Sequence, residues 1–194
     1  MRGRRLAGGV LAAAGAVLLI VAAVHLASGM RAQARGFDAP STRAVRTPRL
    51  PGDALGRLEL PRVGLAAVVF EGDSEATLRK GPGHIPGTAW PADAGSSVGN
   101  CVIAGHRDSF FRLLHDAREG DLVRLVDASG TRNYRLETRR IVPPSEASVL
   151  GPTPDARLTL ITCYPFRWIG AAPSRLVWIA RPVSPALAAA VAAR

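Results

Sequence analysis

The reading of the fold turns on Arg157-Leu-Thr-Leu-Ile-Thr-Cys-Tyr-Pro-Phe166. Leu158 to Thr162 is a run of apolar and β-branched residues, the composition of a buried strand. Tyr164-Pro165 closes the run, because proline has no N–H to give a sheet ladder. Cys163 therefore sits at the last position of a rigid strand, where a loop begins. That is a common position for a reactive group at the edge of a pocket. Asn100-Cys-Val-Ile-Ala-Gly-His-Arg-Asp108 repeats the pattern, with His106 after its strand. Ala172-Pro-Ser-Arg-Leu-Val-Trp-Ile179 places Arg175 at the start of another.

Outward from these segments the chain reads as short strands between turns. Arg57 to Leu65 alternates apolar and polar residues, as a half-buried strand does, and Leu65 to Phe70 is more fully apolar. Ser74 can cap a short helix that Gly81 stops. Gly81 to Gly99 is dense in Gly, Pro, Ser and Asp and reads as loop, with Trp90 as its anchor. Val98 to Ala104 is a strand, and Asp108 or Ser109 can cap a short helix from Phe110 to His115. Strands over 121–126 and 132–141 are joined by Ala-Ser-Gly, a hairpin signal. A proline-rich loop follows from Pro143 to Asp155, then the Cys163 and Arg175 strands. Seven or eight strands this closely spaced leave no room for βαβ units. A closed or partly closed β-barrel of mixed strand direction is expected, in a domain over 55–183.

The N-terminus differs. Leu6 to Leu26 has no charged residue and, at about 1.5 Å per residue, is long enough to cross a hydrocarbon core of about 30 Å. Arg2, Arg4 and Arg5 precede it, which favours a cytoplasmic N-terminus over residues 1–5, an anchor over 6–28 and an exported domain. Ala32-Gln33-Ala34 offers a signal-peptide cleavage site as the rival reading. The apolar run is long for a signal-peptide core of about 7–15 residues, so the anchor is preferred. Residues 29–54, rich in Arg, Pro, Ser, Thr and Ala, read as a flexible spacer. Residues 184–194 read as a disordered or frayed tail.

The formal charge is +10, from 25 basic and 15 acidic residues, and every basic residue but Lys80 is arginine. The arginines are scattered, without a basic helix or interleaved aromatics, so no nucleic-acid partner is expected. No Cys/His cluster has metal spacing and no glycine-rich phosphate loop follows a strand, so no metal or cofactor is expected.

A thiol, an imidazole and a guanidinium at strand ends describe acyl transfer through a thioester. The thiolate is the nucleophile. The imidazole can protonate a departing amine. A guanidinium does not lose its proton and can hold an oxyanion. On the residues alone other readings stay open. Cys163 can be a small buried apolar group, His106 a helix-entry residue and Arg175 a surface arginine. His84, in Gly-Pro-Gly-His-Ile-Pro-Gly-Thr, competes as the catalytic histidine. His25 lies inside the anchor and His115 at a helix end. Two cysteines in an exported chain also permit a disulfide.

At these residues the sequence resembles the sortases, membrane-anchored cysteine transpeptidases. Thr159-Leu-Ile-Thr-Cys163 is similar to the family's T-L-x-T-C signature, Ile103-Ala-Gly-His-Arg-Asp108 to its histidine motif, and Arg175 to its arginine. Gly83 to Ala89, Thr162 to Phe166 and Gly170 to Arg175 look most like class D, and the likeness runs from about Leu58 to Arg181. The resemblance implies a mainly β fold, an eight-stranded sortase-type barrel with short helices after one N-terminal transmembrane helix. It implies His106, Cys163 and Arg175 as the catalytic residues. It also implies that the His106 and Cys163 strands are parallel neighbours ending at one rim. Cys101, five strand residues or roughly 16 Å back, would then lie too far from Cys163 for a disulfide.

The loop from Pro143 to Ala156 would line the substrate groove, with Val149 and Leu150 as substrate contacts. Thr162 would assist substrate orientation. The partners implied are exported proteins with a C-terminal LPxTG-like sorting signal, and an amine acceptor from a cell-wall precursor or a protein subunit. The location implied is a bacterial membrane, single-pass, with the catalytic domain outside. An L,D-transpeptidase is disfavoured because its serine, histidine and glycine immediately precede the cysteine. A catalytically idle, membrane-tethered barrel that binds polyanionic surface partners is the alternative from another class.

Overall fold

The apolar runs close into a single β-barrel. A computed structural model describes residues 2–38, 49–91, 93 and 99–192. Its elements in chain order are α1 (Arg2–Asp38), β1 (Ala54–Leu60), β2 (Leu65–Glu71), α2 (Glu75–Leu78), β3 (Gly83–His84), β4 (Asn100–Gly105), β5 (Leu122–Asp127), β6 (Gly130–Val142), β7 (Arg157–Tyr164), β8 (Ser174–Pro182) and α3 (Pro185–Ala192). Three 3₁₀ helices, Pro61–Val63, Phe110–Asp116 and Ala147–Leu150, fill connections. The strand order is β1-β2-β3-β4-β7-β8-β6-β5, closed by β1 against β5. β2–β3 and β4–β7 are parallel, and the other neighbours are antiparallel. The expected eight-stranded barrel of mixed direction is thus the observed one.

The period-2 pattern explains the closure. Cys101 and Ile103 of β4, Leu158 and Leu160 of β7, and Leu176, Trp178 and Ala180 of β8 all belong to one buried cluster filling the barrel. The alternate positions face outward, as strand geometry demands. Trp90 is 2% exposed and its indole donates to Asp127 at 3.1 Å, so it anchors its loop as expected. Ser74 caps α2 by accepting from the Thr77 N–H.

Five local expectations need correction, the first being the strand read from Arg57 to Leu65, which ends at Leu60 before the 3₁₀ turn Pro61–Val63. β3, read as loop, is a two-residue strand whose only signal would have been alternation over two positions. Residues 143–155 are not wholly loop, because Ala147–Leu150 coils into a 3₁₀ turn and buries Val149. The tail is not frayed over Pro185–Ala192, which forms α3 with Ala188 buried; alanine-rich sequence favours helix once one face has something to cover. The spacer is helical as far as Asp38, because α1 continues past residue 28. The remainder of that spacer over 39–48, Val98 of the expected strand and residues 193–194 lie outside the described residues. Within α1, Ala14–Ala34 has a mean hydropathy of 1.7 and is long and apolar enough to cross a membrane.

Candidate active site

The site follows from strand register. Cys163 lies opposite Arg175 in the β7–β8 ladder, and Gly105 lies opposite Thr162 in the β4–β7 ladder. β4 and β7 are parallel, so His106, one residue beyond Gly105, comes level with Cys163. The inward positions are Ile103, Leu160 and Leu176. The same alternation therefore points Cys163 and Arg175 to the outer face. The register sets thiol and guanidinium opposite each other on neighbouring strands, and the imidazole follows directly after β4 at the same rim.

Each member is held from behind. A Cβ on Gly105 would come 2.7 Å from the Phe111 ring, so only glycine lets the 3₁₀ helix Phe110–Asp116 pack this closely behind His106. The Phe111 N–H donates to the His106 carbonyl at 3.2 Å. The His106 side chain is 29% exposed, and its Nε2 lies 3.5 Å from Glu75 Oε2 on α2. Cys163 is half-buried and carries a free thiol. The half-buried Arg175 guanidinium donates to the Ser174 carbonyl at 3.1 Å and the Ala172 carbonyl at 3.4 Å, which fixes it against its own strand entry.

Arg107 supplies a support that the sequence did not reveal. Its guanidinium donates to the carbonyls of Pro165 at 3.1 Å, Trp168 at 3.0 Å and Gly170 at 3.2 Å. The residue after the histidine thus ties down the loop after the cysteine. Thr162, expected to help orient substrate, is on the inner face and 3% exposed. Its hydroxyl donates to the Gly105 carbonyl at 2.7 Å, so its effect is to pin the strand end that carries His106.

The 3₁₀ turn Ala147–Leu150 covers the outer face below Cys163. Val149, 4% exposed, packs with Val142 and Val177, and Leu150 and Ile161 pack partly buried against them. Ile161 is two residues before Cys163 on the same outer face. Leu150 is therefore partly open on that face, whereas Val149 is buried beneath it. Asn100 clamps this turn: its amide donates to Val149 at 3.0 Å and Gly151 at 3.1 Å, while its oxygen accepts from Thr159 at 2.7 Å and Arg157 at 3.1 Å.

The competing histidine is elsewhere. His84 is 2% exposed, hydrogen-bonded to Glu71 Oε2 at 2.9 Å and Thr88 Oγ1 at 3.0 Å, and set edge-on against Trp90. Both its ring nitrogens are occupied inside the fold. Cys101 is also free and 2% exposed. It pairs with Leu158, at the far end of β7 from Cys163, so no disulfide joins them.

With this geometry in place, the comparisons with known proteins are direct. The family model described as sortase domain matches residues 58–183. Sortase D of Bacillus subtilis (strain 168) is 33% identical over 127 residues, covering 65% of this chain and 62% of that protein. Sortase A of Listeria monocytogenes is 32% identical over 113 residues, covering 56% of this chain and 49% of that protein. The chain thus spans about half to three-fifths of these curated relatives. Among solved structures, the sortase D5 transpeptidase of Clostridium perfringens superposes with a TM-score of 0.62 at 23% identity, over 71% of this chain and 83% of that one. A lid mutant of sortase A from Corynebacterium diphtheriae does so with a TM-score of 0.62 at 23% identity, over 85% of this chain and 95% of that one. These two share the fold, and of the two sequence relatives sortase D is matched over more of this chain, in keeping with the class D likeness. The family model covers well over half of the chain and the solved sortases share its fold, so the chain belongs to the sortase family.

Proposed function

We propose that the chain is a membrane-anchored cysteine transpeptidase that cleaves an LPxTG-like sorting signal of exported proteins and passes the acyl group to an amine. The observation that carries this reading is the register that sets Cys163 opposite Arg175 and brings the end of β4, with His106 next in the chain, to the same rim. The Cys163 sulfur attacks the Thr carbonyl of the signal, and the carbonyl oxygen takes up negative charge. The Arg175 guanidinium faces that oxyanion and stabilises it while the tetrahedral centre exists. His106 gives a proton to the departing amine, the C–N bond breaks, and a thioester on Cys163 remains. An amine from a cell-wall precursor or a protein subunit then attacks the thioester and returns the sulfur to the enzyme. Leu150 and Ile161 offer apolar surface to the signal's Leu and Pro beside Cys163. α1 is the anchor, with Arg2, Arg4 and Arg5 on the cytoplasmic side and the barrel outside.

The test is thiol reactivity. Iodoacetamide is expected to label Cys163 in the native chain, and His106→Ala to slow that labelling about tenfold or more at neutral pH. Equal labelling in mutant and wild type would show that the imidazole and thiol do not work together.

A further inference from the structure

α1 leaves the barrel across the same rim that carries the site. Gly29 and Gln33 are buried, whereas the large apolar side chains from Val17 to Leu26 are 47% to 73% exposed. The Gln33 amide holds the helix to β2: its Nε2 donates to the carbonyls of Lys80 at 2.8 Å and Val68 at 3.2 Å, and its Oε1 accepts from the Val68 N–H at 2.6 Å. A Cβ on Gly29 would come 3.1 Å from the Arg79 carbonyl, which marks how closely the two backbones approach. One turn and more towards the N-terminus, Met30, Leu26 and Ala22 face Leu65, Phe110 and Leu113 across a cleft of about 990 Å³ that His106 also lines. β2 is antiparallel to β4, because β2 runs parallel to β3 and β3 antiparallel to β4. The start of β2 therefore lies at the same end as His106, Cys163 and Arg175. Beyond that end α1 continues with its apolar side chains bare.

We propose that this rim rests on the extracytoplasmic surface of the bilayer, with Leu113, Trp168 and Ile169 in the interfacial layer. The proposal builds on the reading of α1 as an anchor. Leu113 is 38% exposed, Trp168 50% and Ile169 100%. Trp168 and the fully exposed Ile169 are neighbours in the chain, and an indole favours the headgroup level of a membrane. The β7–β8 loop that carries Trp168 and Ile169 is held by Arg107 and touches the 3₁₀ helix of Leu113 through the His115–Phe166 ring contact at 5.4 Å. The three side chains thus share one rigid end of the molecule, next to the exit of α1. Arg112 and Arg167 are exposed there, and so are Asp108 and Asp116. With both signs present, apolar contact outweighs headgroup charge, and binding depends weakly on salt. Cys163 then meets its substrates at the membrane surface rather than in open solution.

Tryptophan fluorescence tests this, because Trp90 and Trp178 are only 2% and 1% exposed. The full chain would be reconstituted in phosphatidylcholine–phosphatidylglycerol vesicles with or without acyl chains brominated near the headgroup. Bromine is expected to quench Trp168 about twofold, an effect lost in Trp168→Phe and weakened in Ile169→Asp. A second reporter, Ile20→Trp in the Trp168→Phe background, reads the anchor alone. Quenching at position 20 with none at Trp168, or quenching at Trp168 that Ile169→Asp leaves unchanged, would overturn the rim contact while the anchor stands. No quenching at position 20 would overturn the anchor, and the rim proposal with it.

Discussion

The barrel holds two cysteine–histidine neighbourhoods, and it treats them in opposite ways. In the interior, Cys101 and His84 are each 2% exposed. Burial, the largest influence, pushes the Cys101 thiol far above its ordinary value of 9.0, and the nearby carboxylates Glu71, Asp127 and Asp93 push the same way against Arg49. His84 spends both ring nitrogens on Glu71 and Thr88. At the rim, Cys163 is half-buried and His106 keeps 29% of its side chain in solvent, with Arg175 across the ladder from the sulfur. β4 serves both neighbourhoods, with Cys101 facing inward at one end and His106 following the other. Depth, rather than residue type, separates the buried thiol and imidazole from the proposed reactive ones.

The largest expected effect separates the thiols. Cys163→Ala is expected to lower transpeptidation by about 10⁴-fold or more, whereas Cys101→Ala changes kcat less than about threefold and costs about 1 kcal/mol of stability. Steady-state kinetics with thermal unfolding in detergent would check both, and an inactive Cys101→Ala that stays folded would break the comparison. Next, Arg175→Ala is expected to cost about 10²–10³-fold in kcat through loss of oxyanion stabilisation. Arg175→Lys should recover only part of it, because an ammonium lacks the planar fork.

The histidines should then split between readouts. His106→Ala removes about 10²–10⁴-fold of rate with stability within about 0.5 kcal/mol, as at an open site. His84→Ala strands the Glu71 carboxylate in the interior and costs about 2–4 kcal/mol. Smaller still, Thr162→Val deletes the bond to the Gly105 carbonyl and costs about 1 kcal/mol. It should lower kcat several-fold with KM unchanged, because it loosens the strand end bearing His106 rather than a substrate contact.

The last effect is in the pH dependence. Native Cys101 resists ionisation, whereas the unfolded chain ionises it above its ordinary 9.0. The stability this thiol contributes is complete below that pH and is lost as pH rises, at no more than about 1.4 kcal/mol per pH unit. Tyr134, raised mainly by burial from its ordinary 10.0, adds the same sign further up. Cys101→Ala should flatten the alkaline fall in Tm, read by unfolding scans from pH 8 to 10.

What the sequence made legible was composition. Continuous apolar and β-branched runs over Leu158–Thr162 and Leu176–Ala180 located β7 and β8, and with them the places of Cys163 and Arg175. β3 was not legible because two residues among glycines and prolines carry no period. The supports around the site were not legible for a different reason. Arg107, Asn100 and Gln33 act on backbone groups far along the chain, and a polar side chain carries no local mark of so distant a partner. Gln33 lay in a stretch whose composition reads as spacer, yet it is buried on β2. Thr162 shows the remaining difficulty: residues adjacent in the motif face opposite sides of the strand, so its neighbour Cys163 meets solvent and it does not.

The most direct measurement incubates the full chain with a library of sorting-signal peptides, with and without a soluble amine, and maps adducts by mass spectrometry. An acyl adduct is expected on Cys163 alone, one that the amine discharges and that forms more slowly in His106→Ala. An adduct on Cys101, or one that persists in Cys163→Ala, would contradict it.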